Sequence, residues 1–215
     1  MMDPKQPPKN ARGRPTDSPE VRYSKTLSYI LRHGAIKEGL EMRNDGFIRV
    51  DDLLSRPKLR GLDFELLQQL VLNNDKKRYQ LVSESGVSFI RAVQGHSLDT
   101  TQLELSQILS TDEAPVVIHG TNDDAWSSIK VSGLKTMGRQ YIHLAAGMPK
   151  EAGVVSGMRN SSTVFIYVDV GKVLRDDIKL YKSLNGVILT SGIENTLSPQ
   201  YFSKVENNRG EIIHS

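Results

Sequence analysis

Residues 79–93, Tyr79-Gln80-Leu81-Val82-Ser83-Glu84-Ser85-Gly86-Val87-Ser88-Phe89-Ile90-Arg91-Ala92-Val93, contain two runs rich in β-branched and aromatic residues, 79–82 and 87–93, joined across 83–86. That pattern predicts a β-hairpin. Upstream, Asp63 is placed to cap a helix bearing Leu66, Leu67, Leu70 and Val71, and residues 51–54 begin another helix that Pro57 interrupts. Before these, Asn44-Asp45-Gly46 is a turn signal and Phe47-Ile48-Arg49-Val50 a short strand. Earlier still, Leu27, Ile30 and Leu31 recur at helical spacing behind Ser24 as N-cap, with Gly34 or Gly39 to end the helix. Helix, strand, helix, helix, hairpin is the order of a winged helix, a common nucleic-acid-binding module, although other small α+β folds share it.

Downstream of Gln94-Gly95-His96-Ser97 the chain turns polar, and residues 99–113 read as a connection between lobes. Strands are expected at 116–118, 141–144, 164–170 and 186–189, and a helix over 125–131 ending at Gly133. Helix is scarce there, and no G-x-G-x-x-G is present to argue for a Rossmann fold. Residues 1–20 hold five of the nine prolines together with Lys5, Lys9, Arg12 and Arg14 and almost nothing apolar, the composition of a disordered basic arm. The expected organisation is α+β: an arm (1–20), a winged-helix lobe (21–98), a connection (99–113) and a mainly β lobe (114–215).

Composition narrows the chemistry. The 215 residues carry 28 Lys/Arg against 25 Asp/Glu, net +3, and no cysteine. Disulfides, Cys-ligated zinc, iron–sulfur clusters and a thiolate nucleophile are excluded together. No apolar run approaches the ~20 residues of a membrane span, and no apolar signal core opens the chain, so the expectation is a soluble intracellular protein without a membrane partner. Residues 1–98 carry 17 basic against 12 acidic groups, and residues 99–215 carry 11 against 13. A basic front and a mildly acidic rear suggest different partners for the two lobes, or simply scattered surface charge.

Several residues could carry function. Arg32-His33 follows the apolar stripe of the first helix; it is either a solvated face or a guanidinium and an imidazole placed to grip a phosphate and supply a proton. Lys76-Lys77-Arg78 lies where the long helix gives way to the hairpin, as backbone-contacting cations of winged helices do, or as cations suiting a helix C-terminus. His119-Gly120-Thr121 follows an apolar strand, where a glycine would let a ligand approach the backbone, and His143 sits in the strand Ile142-His143-Leu144. Arg139 and the loop Ser156-Gly157-Met158-Arg159 could bind phosphate or be plain turns. The five histidines form no H-x-x-x-H or H-E-x-x-H, so no metal is expected, and no G-x-S-x-G supports a serine triad. Read this way, the residues reach a two-lobed protein with possible Arg/His phosphate chemistry, but no reaction.

A resemblance adds the reaction. Ser24-Lys25-x-Leu27-Ser28-Tyr29-Ile30-Leu31-Arg32-His33, Asn74-Asp75-Lys76-Lys77-Arg78-Tyr79 and Gln94-Gly95-His96-Ser97 resemble the tRNA 2′-phosphotransferase (KptA) family. So do His119-Gly120-Thr121, Gly138-Arg139 with Ile142-His143-Leu144, and Ser156-Gly157-Met158-Arg159, in order from about Ser24 to Leu197. Leu144-Ala145-Ala146-Gly147 departs from the family, many of whose members have a proline before this glycine. The resemblance implies a winged-helix lobe that holds RNA and an ADP-ribosyltransferase-like lobe that holds NAD, consumed as co-substrate. The implied activity removes the internal 2′-phosphate left at a tRNA splice junction. The phosphate attacks C1″ of the NAD ribose and expels nicotinamide; ribose O2″ then attacks phosphorus, releasing 2′-hydroxyl RNA and ADP-ribose 1″,2″-cyclic phosphate.

The family's Arg-His-Arg-Arg catalytic set falls on Arg32, His33, Arg78 and Arg139, with RNA contacts expected at Lys25, Lys76 and Lys77. Its NAD-contacting histidines fall on His119 and His143, with Gly120, Thr121, Leu144, Ser156, Gly157 and Arg159 beside them. Arginine stays charged and serves as a clamp, so proton donation falls to His33. The partners implied are tRNA, or another RNA bearing a 2′-phosphate, and NAD, with the chain a monomer in the cytoplasm or nucleus. Two further functions fit the same residues: ADP-ribosylation of terminal phosphates on RNA or DNA, and a winged-helix regulator without catalysis.

Overall fold

The computed structural model describes residues 6–97, 103–148, 154, 158, 159 and 161–214. The chain divides into two compact units, Met1–Leu103 and Glu104–Ser215.

In the front unit, α1 (Pro19–Tyr29) runs into a wider turn, Ile30–Gly34. Then follow β1 (Ile48–Arg49), α2 (Val50–Leu54), α3 (Phe64–Leu72), β2 (Tyr79–Glu84) and β3 (Val87–Ala92). The three strands form one antiparallel sheet in the order β1-β3-β2, with Tyr79 opposite Ala92 and Glu84 opposite Val87, so the expected hairpin is present. Asp63 caps α3 as its position predicts, accepting from the Leu66 N–H at 2.9 Å. Tyr23, Leu27, Ile30 and Leu31 meet Ile48, Leu53, Leu59, Leu67 and Ile90 in a single apolar core.

The start of the unit differs from expectation. α1 begins at Pro19, not behind Ser24: Ser18 is the cap, its side chain accepting from Val21, and Pro19 occupies the first helical position, where a missing N–H costs nothing. Of the expected arm 1–20, residues 1–5 lie outside the described residues, and residues 8–12 contact α1. Ala11 is buried, the Arg12 N–H donates to Thr26 Oγ1 at 2.8 Å, Arg22 donates to the Pro8 carbonyl at 3.0 Å, and the Arg12 guanidinium lies 3.6 Å from the Tyr29 ring centre. Composition alone hides this, because the contacts are made by backbone groups and a cation–π stack and need little apolar surface.

The rear unit is mainly β: β4 (Leu105–Ile108), β5 (Ile118–Thr121), β6 (Leu134–Lys135), β7 (Ile142–Leu144), β8 (Val164–Val168), β9 (Leu180–Ser183), β10 (Ile188–Thr190), β11 (Thr196–Leu197), β12 (Phe202–Asn207) and β13 (Ile212–His214). α4 (Asp123–Ser132) and α5 (Val170–Arg175) are its α-helices. Two antiparallel four-stranded sheets, β4-β9-β10-β7 and β13-β12-β8-β5, contribute to one core, which holds Ile108, Leu144, Leu180 and Ile188 from the first and Val164, Ile166, Val168 and Val205 from the second. β8 buries Val164, Phe165, Ile166 and Val168, and pairs with β12 on one side and β5 on the other.

Gly133 ends α4 at φ +79°, where a Cβ would lie 2.5 Å from the Leu197 carbonyl, so both the turn and the close passage of β11 require glycine. Of the expected connection 99–113, residues 99–102 lie outside the described residues; in the rest, Leu105–Ile108 is a strand paired to β9, and Ser110 with Glu113 forms a capping box. Its sequence is polar because only Ile108 turns fully inward.

Candidate active site

The front cluster is built by the wide turn after α1. A Cβ on Gly34 would lie 2.7 Å from Tyr29 Cε1, so the turn can close over the Tyr29 ring only with glycine there. Wide, i→i+5-bonded turns of this kind are frequent at functional sites. This one carries Arg32 and His33, both half-buried. His33 Nδ1 lies 2.8 Å from Ser97 Oγ, and the Ser97 N–H donates to the Arg32 carbonyl at 3.0 Å.

Arg78 enters from the other side of the same segment. Its carbonyl accepts from Val93, and both its N–H and guanidinium reach Asn74 Oδ1, at 3.0 and 3.4 Å. The next residue, Tyr79, donates to the Ser24 carbonyl at 2.7 Å, so its oxygen accepts from the Ser28 hydroxyl, also at 2.7 Å. Through Tyr79 the start of β2 is tied to α1.

The electrostatics are one-sided. His96, 1% exposed, has its pKa pushed down to about 4 by burial first and then by Arg32, His33 and Arg91. Among the described residues, every charge that acts on it opposes its protonation, as in a positive field suited to an anion. Lys76, beside Arg78, is half-buried and its pKa is lowered by burial and by that arginine, whereas Lys77 is exposed at φ +42°. Lys25 stands apart from this set: its ammonium pairs with Asp17 at 2.7 Å.

In the rear unit, β5 and β7 meet through paired bonds between Ile118 and Ala145. This brings His119 and His143 together, and the His119 ring bonds the His143 carbonyl. Burial lowers the His119 pKa most; the bond to His143 opposes this, and Arg159 adds to the fall. Arg139 is lowered likewise by partial burial and by Arg159. His119, Arg139 and Arg159 therefore share one neighbourhood, again positive.

A Cβ at Gly120 would meet Ser162 Oγ at 2.7 Å and Met158 Cβ at 2.8 Å, so glycine is needed for the close passage of those two residues. Leu144 is fully buried in the core, paired to Ile188, and its side chain serves packing. Thr121 continues β5, pairing with Val164, while Ser156 and Gly157 lie outside the described residues. Among the described residues no group of three or more His, Cys, Asp or Glu is placed to hold a metal ion, and no helix is long and apolar enough to cross a membrane. Ser97 and His96 were visible in the sequence only as parts of a motif; that Ser97 meets His33, 64 residues away, no spacing rule reveals.

The sequence profile of the family described as RNA 2′-phosphotransferase, Tpt1/KptA, matches residues 18–192. A putative tRNA 2′-phosphotransferase of Schizosaccharomyces pombe is 45% identical over 193 residues, 90% of this chain and 53% of that protein. The chain thus spans about half of that relative's length. tRNA 2′-phosphotransferase 1 of Danio rerio is 44% identical over 88% of this chain and 87% of its own, and the tRNA 2′-phosphotransferase of Saccharomyces cerevisiae is 36% identical over 82% and 81%.

Proposed function

Because the chain belongs to the RNA 2′-phosphotransferase (Tpt1/KptA) family, we propose that it removes an internal 2′-phosphate from spliced tRNA in an NAD-dependent transfer. The front unit is the winged-helix lobe that receives the RNA, and the rear unit the ADP-ribosyltransferase-like lobe that receives the dinucleotide. NAD supplies the ribose C1″ that takes up the phosphate as nicotinamide departs, and the resulting ADP-ribosylated RNA 2′-phosphate is resolved by ribose O2″.

The observation that carries this reading is the geometry of the front cluster: Arg32 and His33 share one turn, and Ser97 meets both, through its N–H at the Arg32 carbonyl and its hydroxyl at His33 Nδ1. Such a place suits a phosphate dianion. Arg32 and Arg78 hold its non-bridging oxygens, and fixed guanidiniums stabilise the charge that builds there. His33 gives a proton or strong hydrogen bond to the RNA 2′-oxygen as it leaves phosphorus, the harder departure of the two steps. Arg139, the fourth residue of the set, lies in the rear unit and acts there on the dinucleotide.

The rear unit's residues fit a dinucleotide. A carbonyl can only accept, so His119 donates from Nδ1 to His143 and, when neutral, offers Nε2 as an acceptor for a ribose hydroxyl. Arg139 and Arg159 supply positive charge for the pyrophosphate.

The test is incubation with NAD and a short RNA bearing one internal 2′-phosphate, followed by chromatography. Nicotinamide and ADP-ribose 1″,2″-cyclic phosphate are the expected products. A stable ADP-ribosylated end on a terminally phosphorylated strand, with the internal 2′-phosphate untouched, would replace this reading. RNA binding without nicotinamide release would remove catalysis altogether.

A further inference from the structure

We infer that Ser97 is a positioning residue for Arg32-His33: its hydroxyl holds the His33 ring at Nδ1 and so makes Nε2 the nitrogen turned to the RNA phosphate. This inference rests on the catalytic role given above to that pair. A single residue reaches both members. Ser97 Oγ is 2.8 Å from His33 Nδ1, and the Ser97 N–H donates to the Arg32 carbonyl at 3.0 Å.

The segment that delivers Ser97 is built for that reach. Gly95 lies in the left-handed region at φ +88°, and a Cβ there would stand 3.4 Å from Arg32 Nε and 3.5 Å from its Cδ and Cζ. The backbone thus runs directly along the guanidinium, and a side chain at 95 would press on it. Gln94 and His96 are buried on either side of Gly95, which anchors the segment while Ser97 itself is exposed. At its other end the Val93 N–H holds the Arg78 carbonyl at 3.0 Å. Residues 93–97 therefore brace Arg78 at one end and Arg32-His33 at the other.

The chemistry gives the brace a purpose. The two imidazole nitrogens are distinct, and a partner on one decides what the other can do. A hydroxyl can donate to a bare Nδ1 or accept from Nδ1–H, so it can keep the ring in place through a proton transfer at Nε2. An exposed hydrogen bond adds little to folding stability, so its loss would be felt in turnover rather than in unfolding.

A double-mutant cycle tests this in the full chain. Ser97→Ala keeps the N–H and removes only the hydroxyl; kcat for 2′-phosphate removal is expected to fall about tenfold, the worth of one hydrogen bond to a charged group, with the RNA KM within about twofold. Ser97→Thr, which keeps the hydroxyl, should recover most of the loss. In a His33→Ala background the same Ser97→Ala change should cost less than about twofold, because a group acting through His33 has nothing left to act on. An equal loss in both backgrounds, or Ser97→Thr no better than Ser97→Ala, overturns the inference. Wild-type turnover by His33→Ala alone would instead overturn the catalytic reading beneath it. Ring ¹⁵N shifts of His33, assigned by their loss in His33→Asn, should change more at Nδ1 than at Nε2 on Ser97→Ala; an unchanged Nδ1 shift overturns the inference.

Discussion

His119 donates its Nδ1 proton to the carbonyl of His143, 3.0 Å away across neighbouring strands of the rear unit. The bond fixes the tautomer and leaves Nε2 as an acceptor. Burial lowers the His119 pKa, so the acceptor form persists as pH drops past the ordinary imidazole value of 6.5. NAD affinity, followed by calorimetry, should stay level from pH 8 through 6.5 and fall only in more acid solution. His119→Ala should weaken NAD binding about tenfold, one hydrogen bond's worth, with RNA affinity nearly intact. A decline centred on pH 6.5, or equal loss of both affinities, would contradict this role.

The Tyr79 hydroxyl joins β2 to α1 through the Ser24 carbonyl and the Ser28 hydroxyl. Tyr79→Phe leaves those two groups to find other partners, at a cost of about 1–2 kcal/mol in urea unfolding. Because Tyr79 follows Arg78, turnover should fall as well, while Ser28→Ala alone should cost less than Tyr79→Phe. Unchanged stability in the phenylalanine variant would mean that the tie holds nothing.

His96 sets an acid limit on stability. Its pKa is about 4 folded against 6.5 for an ordinary imidazole, so between these values the unfolded chain binds a proton that the folded chain refuses. Stability attributable to this group is therefore complete above pH 6.5, declines as pH falls from 6.5 to about 4, and is lower there by roughly 3 kcal/mol. Urea titrations of the wild type and His96→Gln across that range should show the shallower decline in the variant. Parallel curves would mean that burial and the neighbouring Arg32 and Arg91 do not act on His96 as described.

His33→Ala should separate the two chemical steps. Nicotinamide is a good neutral leaving group and needs no acid, whereas an RNA 2′-alkoxide needs a proton. Loss of the donor should slow the second step by roughly 100-fold or more, and a single-turnover time course should show ADP-ribosylated 2′-phospho-RNA building up. Blocked nicotinamide release, with no such build-up, would move His33 to the first step.

Local signals in the sequence were readable where neighbours alone decide the structure. Asp63 caps α3, Gly133 ends α4, and the two β-rich runs after residue 78 form the hairpin. What escaped depends on distant partners. Leu105–Ile108 looks like a polar connection because only its pairing with Leu180–Ser183, some 75 residues on, makes it a strand. Phe202–Asn207 mixes charges with Val205 and is a strand because Val164–Val168 and Ile212–His214 flank it. The prolines before α1 read as disorder, yet Pro19 starts the helix and the backbone around Ala11 docks on Thr26. The site divides the same way: Arg32-His33 and the two histidine strands stood out as residues, but the bonds from Ser97 to His33 and from His119 to His143 exist only in the fold.

If the proposed reaction holds, one NAD is consumed for each internal 2′-phosphate removed. Real-time ³¹P NMR of the wild-type protein with a 2′-phosphorylated RNA, with nicotinamide quantified in parallel, measures both sides of that equation. The monoester signal of the RNA should disappear as a cyclic phosphate signal grows, in equal amounts with nicotinamide, and nothing should change when NAD is left out. Loss of the 2′-phosphate as inorganic phosphate, or its loss without NAD, would rule out transfer to the NAD ribose.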